Sequence, residues 1–537
     1  MKKLSLGLQT FSKIINDNCV YIDKTEYIYK LIQGNCYFFA RPRRFGKSLL
    51  CSTLEDLFRG NKELFKGLWI YEQGDFDWQK HPVIHIDFSQ IANRTSTELT
   101  SGLMSQLDDI AEGYDVGPLV YTTPGEMLKK LTTKLIKKYG AAQKVVLIID
   151  EYDKAILEHI QDAKIANMMR EILKSFYEFI KGLDRHLRFV FITGVSRFSK
   201  TSIFSGLNQL VDISMDPRYA HLVGCTSEEI NLFLADHLEH SAREQKLSKH
   251  ELQDKLRIWY NGYRFWNDQP KGLRSLGHAE PARLYAPISI LKCLDFSRFD
   301  NYWFDTGTPT FLIKLIAKNG YPVEQFDSLE ASYQELATFE PEHISLVTLL
   351  FQTGYTTIKS YNEIKQNYIF DVPNQEIKDS LFNYILEYIT KCARSTINTT
   401  LRDLYDSLMH NQVDKFIVHM KLFYSSIPYT VVIEKEKYYQ TIFYVILKLL
   451  NIKAEVEKAT NIGRIDMVVE TDKFLYIFEF KLNGSAQGAL QQIHDTHYYQ
   501  PYVKLGKQMI LVGINFSSKE KNISNYLVEE FIYQEQL

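Results

Sequence analysis

No run in the sequence approaches the ~18 consecutive apolar residues needed to cross a bilayer, so no membrane span is expected. Behind Met1-Lys2-Lys3, the polar residues Ser5, Gln9, Thr10, Ser12 and Lys13 break any apolar leader core, and secretion is not expected. Cysteine is scarce. Six occur in 537 residues (Cys19, Cys36, Cys51, Cys225, Cys293, Cys392), with no CxxC pair. That excludes a recognisable zinc knuckle or disulfide framework and points to the reducing cytoplasm. Charge of one sign is lacking too. At a net charge of -2, only a local basic groove is left as an argument for a nucleic-acid partner. Internal repeats, low-complexity linkers and the GxSxG nucleophile motif are absent, and no cysteine has a motif-level histidine partner. What the chain has in quantity is aromatic side chains, 34 Tyr and 33 Phe. Together with its length they imply several buried cores and roughly three to four domains.

The first ~220 residues alternate short apolar runs with amphipathic stretches. Residues 36–40 (CYFFA), 83–88 (VIHIDF), 144–149 (KVVLII) and 188–193 (RFVFIT) read as buried strands. Helical patterns such as 48–58 and 165–180 lie between them. This alternation predicts an α/β fold with a parallel sheet covered on both faces. From residue 226 to about 375 the pattern turns mostly helical, with turn signals at Asn261-Gly262, Thr308-Pro309 and Asn319-Gly320, and reads as a lid or connecting region. Residues 374–450 are strongly helical. Two strand-like runs, a helix over 489–499 and a strand at 508–514 then suggest a second α/β module. The expected division is 1–225, 226–375 and 376–537.

The loop Arg41-Pro-Arg-Arg-Phe-Gly-Lys-Ser48 follows a strand and opens a helix. This is the setting of a phosphate-binding loop: the backbone N–H groups of Arg44, Phe45, Gly46, Lys47, Ser48 and Leu49 face an anion, and the helix dipole adds positive potential. Lys47 would reach the β- and γ-phosphates, and the Ser48 hydroxyl would ligate Mg²⁺. Arg41 stands where the usual pattern has Gly, and Pro42 holds it extended. One hundred residues on, Val145–Asp150 runs straight into Glu151. A carboxylate at that strand end sits where open α/β sheets bind ligands. Asp150 would hold Mg²⁺ through water, and Glu151 would orient and deprotonate the attacking water. Ser196, ending the next strand, would sense the γ-phosphate, and Arg197 would stabilise charge in cis or toward a neighbour. The pattern predicts ATP binding and hydrolysis.

The stretches RPRRFGKSLL, LIIDEYDK and FITGVSRFSKTSIFSGLNQLVDIS resemble the AAA-ATPase-like family found mainly in bacteria, over residues 1 to about 220. The resemblance extends to 285–294 (YAPISILKCL) and 301–312 (NYWFDTGTPTFL). It implies that the Arg-Pro-Arg-Arg start is a family feature. AAA-type modules often form rings, which leaves a homo-oligomer among the expectations.

Near the C-terminus, 464–470 (RIDMVVE) and 474–482 (FLYIFEFKL) flank Asp472-Lys473. If those two residues form the hairpin loop, Asp466 lies directly opposite Glu479, with Cβ atoms ~5 Å apart. Lys481 shares that face, while Phe478 and Phe480 point into a core. Opposed acids destabilise a sheet unless a divalent cation lies between them, so Asp466 and Glu479 are candidate metal ligands. Lys481 would position or help deprotonate a water. Glu436, at the head of a helix, would supply a third carboxylate, and Gln492 and Tyr498 are polar groups for the same site. His494 and His497, i and i+3, read as an exposed polar face. The aromatic stretches at 259–266 and 301–304 read as packing, and 440–450 as core.

From about 374 to 513 the chain resembles the PD-(D/E)XK nuclease superfamily, in the version commonly fused to this ATPase type. Asp466 and Glu479-Phe480-Lys481 match its pattern, Glu436 its helix acid, and Gln492 with Tyr498 its later Gln and Tyr. Ile465 replaces the leading Pro. The resemblance implies a restriction-endonuclease-like fold and Mg²⁺-dependent (or Mn²⁺-dependent) cleavage of DNA or RNA. The leading expectation is thus an ATPase module regulating a nuclease-like module. The alternative is a nucleotide-dependent switch with a catalytically inactive nuclease-like domain.

Overall fold

The computed structural model describes residues 1–197, 203–204, 206–266, 282–304, 323, 326, 329–337, 345–433, 435–459 and 463–531. The chain divides into two compact units, one of Met1–Thr308 with Asp327–Ile377, the other of Pro309–Phe326 with Lys378–Leu537.

The first unit is built on a five-stranded sheet in the order β2-β3-β4-β1-β5. Its strands are β1 Cys36–Ala40, β2 Val83–Asp87, β3 Val145–Asp150, β4 Leu187–Gly194 and β5 Val211–Asp212. All pairings are parallel. Every residue of β3 is buried, as a strand covered on both faces requires. Helix α1, Lys47–Phe58, follows β1 directly. Because the sheet is parallel, the loop after β1 and the acids after β3 emerge at the same edge, with β4 between them. That edge is where an open sheet offers a crevice to ligands.

The connecting region holds helices, among them α2 (Ser227–Phe233), Lys249–Tyr260 and Pro287–Phe296. It is not mainly helical throughout. Strands β6 Glu330–Ser332, β7 Thr357–Asn362 and β8 Asn367–Asp371 form an antiparallel sheet in the order β6-β8-β7. The aromatic stretches pack inward: Tyr260, Tyr263, Phe265, Trp266 and Trp303 are all buried. The turns expected at Thr308-Pro309 and Asn319-Gly320 lie outside the described residues.

In the second unit, helix α3 (Glu436–Leu449) precedes a mixed sheet ordered β13-β12-β11-β10-β9. Its strands are β9 Lys453–Ala459, β10 Arg464–Glu470, β11 Phe474–Leu482, β12 Gln508–Ser517 and β13 Asn522–Phe531. β11 and β12 run parallel, and helix α4 (Ala486–Asp495) lies between them in the chain. Phe478 and Phe480 meet Phe443 of α3, with ring centroids 5.1 and 5.3 Å apart. On the other face, Leu475 and Ile477 share a core with Leu490 and Ile493 of α4. Helix α4 starts three residues before the expected Ala489, where the Ser485 side chain caps it, and stops at Asp495 rather than Tyr499. Among the described residues, no helix is long and apolar enough to cross a membrane.

Candidate active sites

The loop between β1 and α1 turns on two left-handed residues, Arg44 at φ +67° and Gly46 at φ +96°. A Cβ on Gly46 would meet nothing within 4 Å, so the loop is open beside it. Turns of this kind aim successive N–H groups to one side and make an anion cradle. Lys47 is buried, its Nζ donating to the carbonyls of Arg41 (2.9 Å) and Pro42 (3.0 Å). Burial lowers its pKa, while Asp150, Glu151 and Asp153 pull it back up. Asp150 is buried, and desolvation raises its carboxyl despite the opposing pull of the Ser48 hydroxyl and Lys47. Glu151 stands at φ +51°, a costly conformation for a side chain of this kind. Its N–H donates to Asp150 Oδ1 at 2.9 Å, and burial raises its carboxyl too. Lys47, Ser48, Asp150 and Glu151 thus converge as the motif predicts. They fit a nucleotide: an open turn at a helix N-terminus suits phosphates, and a hydroxyl beside a carboxylate suits Mg²⁺, which keeps most of its waters.

Ser196 and Arg197 are committed elsewhere. The Ser196 N–H donates to Asp153 Oδ2 at 2.6 Å, and its hydroxyl donates to the same oxygen. Arg197 is 5% exposed. Its Nη2 pairs with Asp212 at 2.7 Å and its Nη1 donates to Met215 Sδ at 2.9 Å. The guanidinium expected to reach a phosphate or a neighbour is instead locked in the interior, because β5 places a carboxylate beside it.

The β10–β11 hairpin has the register its two-residue loop predicts. Met467 faces Phe478, Val468 faces Ile477 and Glu470 faces Leu475, and Thr471 N donates to Phe474 O at 2.9 Å to close the turn. The paired residues end at Met467 and Phe478; continued one step, the same register brings Asp466 opposite Glu479. Asp466 Oδ2 accepts the Phe480 N–H at 2.8 Å. The Glu479 side chain is 2% exposed; its Oε1 accepts from Lys481 Nζ at 3.0 Å, while its buried Oε2 has no hydrogen-bond partner. Burial pushes Asp466 up to about 6, with Glu436 and Glu457 adding to the rise. Burial, then the neighbouring Asp466, pushes Glu479 up to about 7. Two facing carboxylates, one with an orphaned buried oxygen, suit a divalent cation that takes one or two protein carboxylates. Glu436 stands near enough to act on Asp466, but its Oε2 accepts the Leu482 N–H at 3.0 Å. Among the described residues, no group of three or more His, Cys, Asp or Glu is placed to hold a metal ion. Tyr498 lies past the end of α4 and donates its hydroxyl to Arg464 O at 2.7 Å, fixing the start of β10. Gln492 is half-buried on α4. His494 pairs with Glu529 (3.0 Å) and His497 with the Tyr499 hydroxyl (3.1 Å), so the two do not share a ligand.

Residues 5–204 match a family model described as Predicted AAA-ATPase, and residues 434–526 match the PD-(D/E)XK nuclease superfamily. The chain is 36% identical to the "Uncharacterized protein in vnfD 5'region" of Azotobacter chroococcum mcd 1 over 543 residues, covering 98% of this chain and 99% of the relative. The chain belongs to this family, which joins an AAA-ATPase-like domain to a PD-(D/E)XK nuclease superfamily domain.

Two features of this fusion escaped the sequence. Beside the phosphate loop of the AAA-ATPase-like domain lies a concavity lined by Tyr21, Lys24, Phe45, Gly46, Leu49 and Cys225 among others. Lys24 Nζ holds both carboxylate oxygens of Glu229, on α2, at 2.6 Å. In the nuclease superfamily domain, β9 pairs Lys458 with Ile465 and Val456 with Met467, which puts Glu457 abreast of Asp466. Glu457 sits at φ +49° and binds Arg464 Nη1 at 2.9 Å and Lys437 Nζ at 3.6 Å. An acid and two cations therefore stand at the edge of the acid pair. They come from three separate elements, Glu457 from β9, Lys437 from α3 and Arg464 from the start of β10.

Proposed function

We propose that this protein is an ATP-hydrolysing enzyme in which the AAA-ATPase-like module (1–225) acts through a connecting region (226–375) on a nuclease-like module (376–537) that cuts nucleic-acid phosphodiesters. One observation carries the nuclease part: Asp466, bonded to the Phe480 N–H, and its neighbour Glu479 act on one another at a burial that strongly disfavours two ionised carboxylates. A divalent cation relieves that repulsion.

In the first module, backbone N–H groups from Arg44 to Leu49 take the phosphates, and the concavity beside Gly46 takes the base. Lys47 exchanges the carbonyls of Arg41 and Pro42 for β- and γ-phosphate oxygens. Ser48 and Asp150 would hold Mg²⁺, which supplies positive charge at the transferring phosphoryl group. Glu151 accepts the proton of the attacking water, and its raised pKa favours that role. Ser196 and Arg197 join only if Asp153 and Asp212 release them.

In the second module, Asp466 and Glu479 would hold Mg²⁺ or Mn²⁺, with Glu436 beside them, and the ion would polarise the scissile phosphate. Lys481 orients the water and offsets phosphate charge. A water oxygen bonds to phosphorus as the bond to the leaving oxygen breaks. DNA or RNA is the substrate class. Coupling between the modules is supported by chain connectivity alone. All six cysteines are buried and free, which supports a reducing cytoplasm, and the relative in Azotobacter chroococcum supports a bacterial one. A homo-oligomer follows from the ring-forming habit of AAA-type modules.

The test is cleavage of single- and double-stranded DNA and RNA with Mg²⁺ or Mn²⁺, with and without ATP. Wild type is compared with Lys47→Ala and Glu479→Ala. Cleavage lost in Glu479→Ala and altered in Lys47→Ala is expected. ATP hydrolysis without any cleavage would move the second reading ahead, a nucleotide-dependent switch with an inactive nuclease-like domain. That reading is favoured by the lack, among the described residues, of a three-ligand group.

A further inference from the structure

A second, small concavity lies beside the start of the phosphate loop and is lined by Arg41, Pro42, Arg197, Ser214, Phe265 and Gln352 among others. Arg41 is 2% exposed. Its Nη1 donates to the carbonyls of Ala40 (2.9 Å) and Ser214 (2.5 Å). The rings of Phe39 and Phe265 lie 4.5 and 4.9 Å from the guanidinium carbon. Its Nε and Nη2 have no hydrogen-bond partner.

An unpaired buried donor costs ~1–3 kcal/mol, and more when it carries charge, so something must meet these two N–H groups. The nearby acid does not. Asp212 spends Oδ2 on Arg197 (2.7 Å) and Oδ1 on the Ser214 N–H (2.8 Å). Asp212 acts on Arg41 only through space and is opposed there by Arg197, so neither meets the two N–H groups.

A lone water would accept from the two N–H groups but brings no charge to set against the buried guanidinium. A phosphate would need more donors than two. We propose that this concavity binds a monovalent anion of halide size, chloride in the cell, on Nε and Nη2 of Arg41. The carbonyls of Arg41 and Pro42 anchor Lys47 Nζ. An anion that fixes Arg41 therefore also stiffens the loop that presents Lys47.

The test is thermal unfolding of the full chain without nucleotide, in sodium chloride, bromide or gluconate at equal ionic strength. Chloride and bromide should raise the midpoint saturably by a few degrees over gluconate. Arg41→Lys, which keeps the charge but loses the fork, should weaken the apparent halide affinity at least tenfold. Crystals grown in bromide should show an anomalous peak beside Arg41. The inference is overturned if wild type gains nothing from halide over gluconate, or if those crystals show an ordered water and no peak. The readout does not depend on ATP hydrolysis or cleavage, so it stands or falls apart from the proposed function.

Discussion

Glu479→Gln is the sharpest perturbation of the acid pair, since it removes one negative charge while keeping the side chain's shape and its acceptor for Lys481. Glu479 is pushed up to about 7 from an ordinary 4.5, first by burial and then by Asp466. A raised carboxyl means the folded state favours the protonated form. The stability this contributes is complete below pH 4.5 and is lost as pH climbs through about 7. At ~1.4 kcal/mol per pKa unit, wild type gives up about 3 kcal/mol by pH 8. The amide carries no such loss. In EDTA the variant and wild type should therefore be close near pH 4.5 and diverge as pH rises. At pH 8 the variant should be more stable, its midpoint higher by roughly 6–12 °C at ~2–4 °C per kcal/mol. Mg²⁺ should narrow the gap by stabilising wild type, by ~2.7 kcal/mol at a hundred times its dissociation constant. Thermal unfolding across pH 4.5–8.5, with EDTA or Mg²⁺, reads all of this. A variant no more stable than wild type at pH 8 in EDTA would refute the reasoning. So would a gap of equal size at pH 5 and pH 8.

Lys47→Ala should cut ATP hydrolysis on the order of 10²–10³-fold while leaving the circular dichroism spectrum unchanged; retained turnover would remove Lys47 from the chemistry. Gly513→Ala is a packing probe: the added Cβ would lie 2.5 Å from Ala486 O and 2.8 Å from Leu490 N. It should destabilise by about 1–3 kcal/mol in denaturant unfolding, and no change would mean that α4 does not sit as closely on β12 as described. Arg464→Ala and Lys437→Ala should each lower the slope of log affinity against log salt for nucleic acid by ~0.7–0.9. Unchanged slopes would make the two cations plain partners of Glu457.

How far the sequence could be read depended on how locally each feature is determined. The hairpin register was legible because a two-residue loop permits essentially one pairing. Asp466 could therefore be set opposite Glu479 from the chain alone. The phosphate loop was legible for a similar reason, its strand, turn and helix being contiguous. The helix boundary at Ala486 was missed by three residues because Ser485 caps it without an apolar signal before it. The small sheet was missed because β7 (TIKSYN) is mostly polar, with Lys359 and Ser360 exposed at its middle. Its strands pair across a turn with no Gly or Pro to announce it.

What stayed hidden is set by contacts between distant segments. Ser196 and Arg197 looked free because nothing nearby in sequence predicts that Asp153 and Asp212 would take them. Lys24 and Glu229 are 205 residues apart yet stand 2.6 Å from one another. Glu457 is the most telling case. Nothing in the lettering of 453–459 marks it as part of the site, and the pairing of β9 with β10 is what brings it abreast of Asp466. Its left-handed backbone costs stability, of order 1–3 kcal/mol. It also adds negative charge to an acid that burial already disfavours. A residue that destabilises the fold in two ways is hard to explain as surface decoration. It makes sense if the edge of the acid pair must hold Arg464 and Lys437 in readiness for a phosphate. Substituting Glu457 with Gln should then leave the fold intact, free both cations, and strengthen nucleic-acid binding at low salt. Weaker binding would mean instead that Glu457 is needed to position them.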